Sequence, residues 1–423
     1  MTSWPPGTQT ISSALLALGV LLSPATQFRP ANLPVGPGEI CLALWIGIGL
    51  ADETTRLGPR ITPALARMMM FWVIFAFAQS LGAVVGLAIE KIRDPVSAQH
   101  DVVAYLLLAA ISCIGVGQPD AARRLRQSAW MLVLFGALCL AAQLAEAWGV
   151  IDIAGTDPYE WDRLRGWSEN SNALALISAA LVVVPLYLVE STDSTAERII
   201  ALALIPLPIS VGFLTKSDAF TLFLLTAGPL FAGLKLWSWL RLPRPDLPLR
   251  TAAAWLVLLA LPLLPIAAIP FASSAATSAE RFVENMYEDN DQGEDRLRLW
   301  NEAFSRGMDA AMLGLGPGAH IISGKFKRQP PPNFEAHNTV LDLFTQGGAL
   351  IVALFFWLVA AGFFAAGRAG QTALATLLFS LVVFGLFHLI VRHPIFWFGI
   401  ALCFAAGDVT NRKVALRRSY RRV

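Results

Sequence analysis

The sequence predicts an all-α polytopic membrane protein of about twelve transmembrane helices, with a large helical loop between spans nine and ten. Hydrophobic residues make up 56% of the 423 positions, and the mean hydropathy is +0.58. Charged residues account for only 15%, whereas roughly a quarter is usual in soluble domains. Apolar stretches long enough to cross a bilayer, or slightly shorter, recur along most of the chain. These observations exclude an ordinary soluble enzyme.

Twelve apolar stretches are predicted to be spans, of which the second, fourth, seventh and last are short. Their approximate limits are 9–27, 36–51, 64–89, 102–117, 127–149, 172–190, 198–214, 218–236, 251–271, 339–366, 371–390 and 393–408. The first stretch lacks a basic flank and a typical small-residue cleavage site, which favours a retained span over a signal peptide. The four cysteines lie within predicted spans without CxxC spacing, so the pattern indicates neither a disulfide framework nor a zinc site.

The basic residues of the connections predict that both termini are cytoplasmic. With the N-terminus inside, eighteen of the 32 Lys and Arg residues are cytoplasmic, six of them in the tail 409–423. Seven of the other fourteen belong to the long loop, which the positive-inside rule does not count, so the comparison is eighteen against seven. The net charge is +2, and we interpret the basic tail as an anchor on anionic lipids and not as a nucleic-acid site.

Two outer segments interrupt the apolar pattern. Spans one to nine occupy residues 1–271, which include a short polar and aromatic outer loop at 150–171. The second outer segment, 272–337, has 66 residues and is long enough to fold over the membrane. Spans ten to twelve follow at 338–408, before the basic cytoplasmic tail 409–423. We expect one site to be assembled from both outer segments.

A helix with one apolar stripe is predicted in the long loop. The stripe consists of Leu297, Trp300, Phe304 and Met308, at helical spacings. Such a helix would lie along the membrane interface. Residues two apart on a helix point about 200° apart, so only one of Arg296 and Arg298 is expected to face a ligand.

His337 ends the long loop, immediately before the tenth span. The glycine-rich run 314–318 predicts a tight turn, and the prolines at 330–332 predict an extended approach. Asn338 or Thr339 can cap the helix that follows. The positive end of that helix opposes protonation of the imidazole and attracts anions, which suits a base beside a phosphate. The alternative is that His337 only packs at a loop-to-helix junction.

Ordered motifs occur between residues 150 and 350. The first comprises Arg163, Gly166, Asn170 and Asn172, with Ser171 at a position where the family named below usually has proline. The second comprises Arg296, Trp300, Gly314, Gly316, Pro317 and Gly318. The third comprises His337, Asn338, Leu341, Gly347 and Gly348. In order and sidedness they resemble the O-antigen ligase and polysaccharide polymerase superfamily of bacterial membrane glycosyltransferases. Members often have Ser-Arg between spans seven and eight, where this chain has Lys216, Ser217 and Asp218.

The resemblance implies a GT-C-like enzyme of the bacterial inner membrane, which moves a glycan from undecaprenyl diphosphate to an acceptor sugar hydroxyl on the periplasmic face. Arg163 and Arg296 are expected to hold the diphosphate, and His337 is expected to be the base. The expected substrate-binding residues are Arg165, Lys216, Asn172, Trp300 and Asn338. The acceptor would be a glycan or the lipid A core, and membrane lipids would be further partners.

No cofactor, metal or nucleic acid is expected. The acidic run 288–295 lacks the ligand spacing of a calcium loop. His388 and His393 flank Arg392 without a third ligand at metal spacing, and we interpret them as structural.

Two other functions stay open beside the slightly favoured ligase. An O-antigen or exopolysaccharide polymerase would use the same donor chemistry. A transporter or flippase of lipid-linked glycans is the second alternative, although transporters tend to place ionisable groups near the bilayer midplane. The polar residues of this chain are concentrated in the outer segments, which favours chemistry at the membrane surface.

Overall fold

The computed structural model describes residues 6–30, 35–54, 61–89, 94–241, 292–321 and 334–420. In these ranges the chain is almost entirely helical, and seven helices are long and apolar enough to cross a membrane. The expected all-α polytopic architecture is therefore supported. The count of twelve spans stays a prediction, because the predicted ninth span, 251–271, lies outside the described residues.

The described residues contain thirteen α-helices, and all but Gln292–Asp309 overlap one of the other eleven predicted spans. They are α1 (Pro6–Leu22), α2 (Pro37–Thr54), α3 (Pro63–Ile89), α4 (Pro95–Gly117), α5 (Ala121–Ala147), α6 (Ser171–Ser191), α7 (Thr195–Ala203), α8 (Pro206–Leu214), α9 (Asp218–Arg241), α10 (Gln292–Asp309), α11 (Thr339–Arg368), α12 (Thr372–Phe384) and α13 (Pro394–Tyr420). Strands β1 (Tyr159–Glu160) and β2 (Arg163–Leu164) form an antiparallel hairpin. Several helices begin with proline, whose fixed φ and missing N–H suit the first helical position.

Several predicted boundaries are displaced, with α4 beginning at Pro95 instead of residue 102, and three further differences concern the shape of the helices. The seventh span is split into α7 and α8 ahead of Pro206, which cannot donate a backbone hydrogen bond. The final helix continues beyond 408 to Tyr420. The eleventh helix ends at Phe384 instead of residue 390, and an irregular segment with a short 3-10 helix, Ile390–Arg392, follows.

The irregular segment after α12 is held by one residue at the start of α11. The Thr339 amide donates to the Gly385 carbonyl at 2.7 Å, and its hydroxyl donates to the His388 carbonyl at 2.6 Å. The same hydroxyl accepts the Ile390 amide at 3.0 Å. Because these bonds satisfy backbone groups that a helix would have paired, the chain can leave the helical path here.

The core is built around α6 and α11. Helix α6 is the most enclosed of the candidate spans, and its Ala175, Ala179 and Ala180 are fully buried against α5, α8, α9 and α12. Small residues allow the close helix approach on which packing within a membrane depends. Helix α11 packs between α3, α10, α12 and α13. Both helices begin at the end of the bundle where the outer loops lie.

Two glycine motifs meet inside α11. The helix is interrupted at Gly347 and Gly348, where Gly348 has φ +69° and ψ −163°. The turn after α10 fits into this break, since the Leu315 amide donates to the Thr345 carbonyl at 2.8 Å and the Ala349 amide donates to the Met312 carbonyl at 2.9 Å. The hydrogen-bonded turn lies at 310–312, ahead of the predicted 314–318, where the chain only bends at 317–318; backbone hydrogen bonds fasten the segment from 312 to 316 to the tenth predicted span.

We predict that Gly348→Ala destabilises the protein. A Cβ at this position would lie 1.9 Å from the Met312 carbonyl oxygen, and the backbone conformation alone adds about 1–3 kcal/mol of strain for an L-residue. Gly367→Ala, in the same helix and with open space around the new Cβ, is the matched control. Thermal unfolding of the purified protein in detergent should show a lower midpoint for the Gly348 variant only; equal midpoints would contradict the interpretation.

Candidate active site

Arg163 connects the outer hairpin to the start of two helices. Its Nε donates to the Thr215 carbonyl at 3.1 Å, and its Nη2 donates to Asn172 Oδ1 at 3.2 Å. The Ser217 hydroxyl donates to the same Asn172 oxygen at 2.8 Å. The guanidinium is therefore fixed between the N-terminal turn of α6 and the junction of α8 with α9.

The loop that carries Arg163 is fastened to the bundle by Gln27. The Gln27 amide group donates to the carbonyl oxygens of Asp157, Gly166 and Ser168 at 3.0, 2.9 and 2.7 Å. Gly166 has φ +56°, and a Cβ there would collide with the Gln143 side chain. The first motif thus requires glycine to bring the loop back against α5.

Helix α10 carries Arg296 to the same place. This half-buried guanidinium interacts electrostatically with Asp218, the first residue of α9, and with Arg163. Burial lowers the pKa of Arg296 below its ordinary value, the Asp218 carboxylate opposes this shift, and the charge of Arg163 reinforces it. The guanidinium groups of Arg163 and Arg296 repel each other, and an anion bound between them would relieve this repulsion.

The predicted apolar stripe of α10 is used in two ways. Phe304 stacks on Phe344 of α11 with ring centroids 5.9 Å apart, and Ala303 is fully buried beside the loop before α11. Phe304 is nevertheless 56% exposed and Met308 46% exposed. An exposed apolar edge on a helix fixed to the bundle is consistent with the predicted position along the interface.

His337 lies on the surface of the site, within electrostatic range of Arg296. The residue is exposed, but the surrounding protein is dense enough that burial lowers the pKa of the imidazole. Glu335 opposes this shift, whereas the positive charges of Arg296 and Arg392 reinforce it. The imidazole is therefore neutral at pH 7 and accessible to a ligand.

The residues next to His337 form an ion-pair network that sequence reasoning missed. Arg392 Nη1 donates to Asp101 Oδ1 at 2.8 Å, and Arg392 Nη2 pairs with Glu335. The other oxygen of Asp101 accepts from the Gly318 amide and the Gln346 side chain, both at 3.0 Å. The sequence did contain one indication of this network. Asp101 and Arg392 are ionisable residues at the ends of predicted spans, where a charged side chain usually has a partner or a function.

His388 and His393 face each other behind His337. Their Nε2 atoms are 2.9 Å apart, and His388 lies within electrostatic range of His337. Their interpretation as structural residues agrees with the burial of His388, which is 8% exposed.

The other predicted substrate-binding residues have intramolecular partners. Arg165 pairs with Asp157 at 3.0 Å. Lys216 pairs with Asp162 at an exposed position, where its hydrogen bond and charge lower the pKa of Asp162. The side chain of Asn338 accepts the amides of residues 340 and 341, so it caps α11 instead of contacting the imidazole. The Trp300 indole N–H donates to the Ala336 carbonyl at 3.0 Å.

The arrangement is chemically suited to attract an anion and to accept a proton. Three helices, α6, α9 and α11, begin at the site, and the positive ends of helix dipoles attract anions. The two guanidinium groups add fixed positive charge, and the neutral imidazole can accept a proton. In the described part of the chain, no group of three or more His, Cys, Asp or Glu residues has the arrangement of a metal site. Residues 288–291 of the acidic run and the prolines at 330–332 lie outside the described residues.

A comparison with protein families covers part of the chain that forms this site. A family model described as O-antigen ligase matches residues 200–358, which include Arg296 and His337. The match confirms, over that segment, the resemblance to the O-antigen ligase and polymerase superfamily of membrane glycosyltransferase-like enzymes. Arg163 lies outside the matched segment. No curated protein matches the chain.

We predict that Arg392→Met destabilises the protein by about 3–5 kcal/mol, because it leaves the Asp101 carboxylate buried without its cation. Lys216→Met, which breaks an exposed pair instead, is the control and should leave stability unchanged. Chemical denaturation in mixed micelles measures both. Equal stability of the two variants would mean that the Arg392 network is not a structural support.

Proposed function

We propose that the protein transfers a glycan from undecaprenyl diphosphate to an acceptor sugar hydroxyl on the periplasmic face of the inner membrane. The observation that carries the proposal is the electrostatic proximity of Arg296 to Arg163 on one side and to His337 on the other, since these residues come from three distant parts of the chain. The family match over residues 200–358 supports the same reaction class. With the site facing the periplasm, both termini are cytoplasmic.

The two guanidinium groups bind the diphosphate of the donor. Negative charge develops on the leaving diphosphate as its bond to the anomeric carbon breaks, and fixed positive groups stabilise that charge without reorganisation. Arg163 is suited to this role because Thr215 and Asn172 hold it in place before substrate arrives. The Asp218 carboxylate offsets part of the repulsion between Arg296 and Arg163.

His337 accepts the proton of the acceptor hydroxyl as the new glycosidic bond forms. The reaction is balanced by one bond made at the anomeric carbon, one bond broken to the diphosphate oxygen, and one proton moved to the imidazole. The proton then leaves to solvent, which reaches this exposed residue directly. A neutral imidazole close to two cations is ready to act as a base at neutral pH.

The experiment that tests the proposal is a transfer assay with the purified protein and defined undecaprenyl diphosphate glycans. Acceptors should be lipid A core in one arm and a second lipid-linked repeat unit in the other. Product on lipid A core identifies a ligase, which we favour, and chain extension identifies a polymerase. Movement of labelled donor across liposomes without any new glycosidic bond would overturn the proposal in favour of a flippase.

In this assay, Arg296→Ala should lower kcat/KM on the order of 100-fold or more, the loss typical when one charge-stabilising donor is removed. Arg298→Ala, two positions along the same helix, is the matched control and should stay within a few-fold of wild type.

His337→Ala should abolish transfer while leaving expression and unfolding temperature intact. Near-normal transfer by the His337 variant would exclude its role as the essential base.

The pH dependence of kcat/KM should also report His337. A base must be deprotonated to act, and its pKa in the free protein is below the ordinary value of 6.5. Activity should therefore persist as the pH falls through 6.5 and decline only at lower pH. A decline centred above 6.5 would assign the titration to another group.

A further inference from the structure

His337 has a backbone conformation that L-residues rarely adopt. Its φ is +52°, in the left-handed region, although histidine has a Cβ and the residue is neither glycine nor asparagine. Such a conformation costs roughly 1–3 kcal/mol and persists only when neighbouring groups hold it. The direction of the imidazole depends on this angle, because the Cβ is fixed by the two flanking peptide planes.

Both peptide groups that flank the His337 Cα have a side-chain partner. On the preceding side, the Ala336 carbonyl accepts the Trp300 indole N–H at 3.0 Å. On the following side, the Asn338 amide donates to Asp342 Oδ2 at 3.1 Å. Asp342 Oδ1 also accepts the Ala336 amide at 2.7 Å. Rotation about either backbone bond of His337 would break at least one of these contacts.

The Asp342 side chain is well placed to accept the Ala336 and Asn338 amides. The residue is 3% exposed and lies on the first turn of α11, from which its carboxylate reaches back over the helix start. Its two oxygens accept amides on opposite sides of His337, so the carboxylate bridges the turn. The Asn338 cap satisfies other amides of α11 and does not replace these two bonds.

We propose that Asp342 and Trp300 are positioning residues that hold His337 in its left-handed conformation and thereby aim the imidazole into the active site. The inference deepens the proposed function, on which its catalytic part rests. Neither residue touches the reacting atoms. Trp300, which the sequence suggested as a substrate contact, acts through the Ala336 carbonyl instead.

Two conservative variants test the proposal from opposite sides of His337. Asp342→Asn places an amide nitrogen against a backbone N–H, so one bond is lost and two donors face each other. Trp300→Phe removes the indole N–H while an aromatic ring remains next to Phe387. Each should lower kcat 10- to 100-fold, the order of loss expected when a catalytic group is misplaced by about 1 Å, with little change in the KM for the donor. The double variant should lose less than the product of the single losses, because both changes release the same turn.

Asp94→Asn is the control for the Asp342 change. Asp94 caps α4 through the Ser97 amide at 3.0 Å, and asparagine caps helices as well as aspartate does. This variant should keep wild-type kcat. If Asp342→Asn and Trp300→Phe lower only the unfolding temperature and leave kcat per folded molecule unchanged, the positioning role is overturned.

A second readout does not depend on glycosyl transfer. The rate of carbethoxylation by diethyl pyrocarbonate, followed by peptide mass spectrometry, gives the pH midpoint of His337 with the half-exposed His100 as internal reference. In the wild type this midpoint should lie below 6.5, and in both variants it should rise towards that value as the ring leaves its dense surroundings. An unchanged midpoint in both variants would refute the proposal. Failure of wild-type transfer with every donor would refute the proposed function but leave this result valid.

Discussion

The site depends on one buried carboxylate, that of Asp101. It accepts hydrogen bonds from the Gly318 amide, the Gln346 side chain and the Arg392 guanidinium, which belong to the outer loop, α11 and the segment before α13. A buried carboxylate is stable only when cations or hydrogen-bond donors surround it. Separation of any of the three segments from α4 would leave the Asp101 charge less compensated and would destabilise the fold. Arg392 extends the connection to Glu335, two residues from His337.

Charge and backbone geometry act together around this support. The glycine-rich segment after α10 pairs with the interruption in α11, and this pairing keeps α10, with Arg296, beside the start of α11. Arg163 reaches the same region from the other outer loop through Asn172. The convergence of helix N-termini adds a positive field that no single side chain provides. An anionic ligand would meet prearranged charges, which is the condition for strong electrostatic stabilisation.

Hydropathy and motif order predicted much of this arrangement, because membrane spans are local properties of a sequence. The prediction failed where contacts are distant or the backbone is unusual. The pair of Asp101 with Arg392 joins positions 291 residues apart and leaves no local pattern. On a regular helix, Asp342 would lie too far along the chain from His337 to orient it. The positive φ of His337 turns the preceding peptide over the helix start, within reach of that carboxylate.

The hydroxyl of Thr339 has a mechanical consequence. It donates to the His388 carbonyl and accepts the Ile390 amide, so the start of α11 and the segment before α13 share one hydrogen-bonding atom. A displacement of either segment would therefore pull on the other through this one side chain. Helix α10 is coupled to this pair through α11, because its Trp300 donates to the Ala336 carbonyl and the chain that follows α10 bonds to α11, so a tilt of α10 would move Arg296 and His337 together.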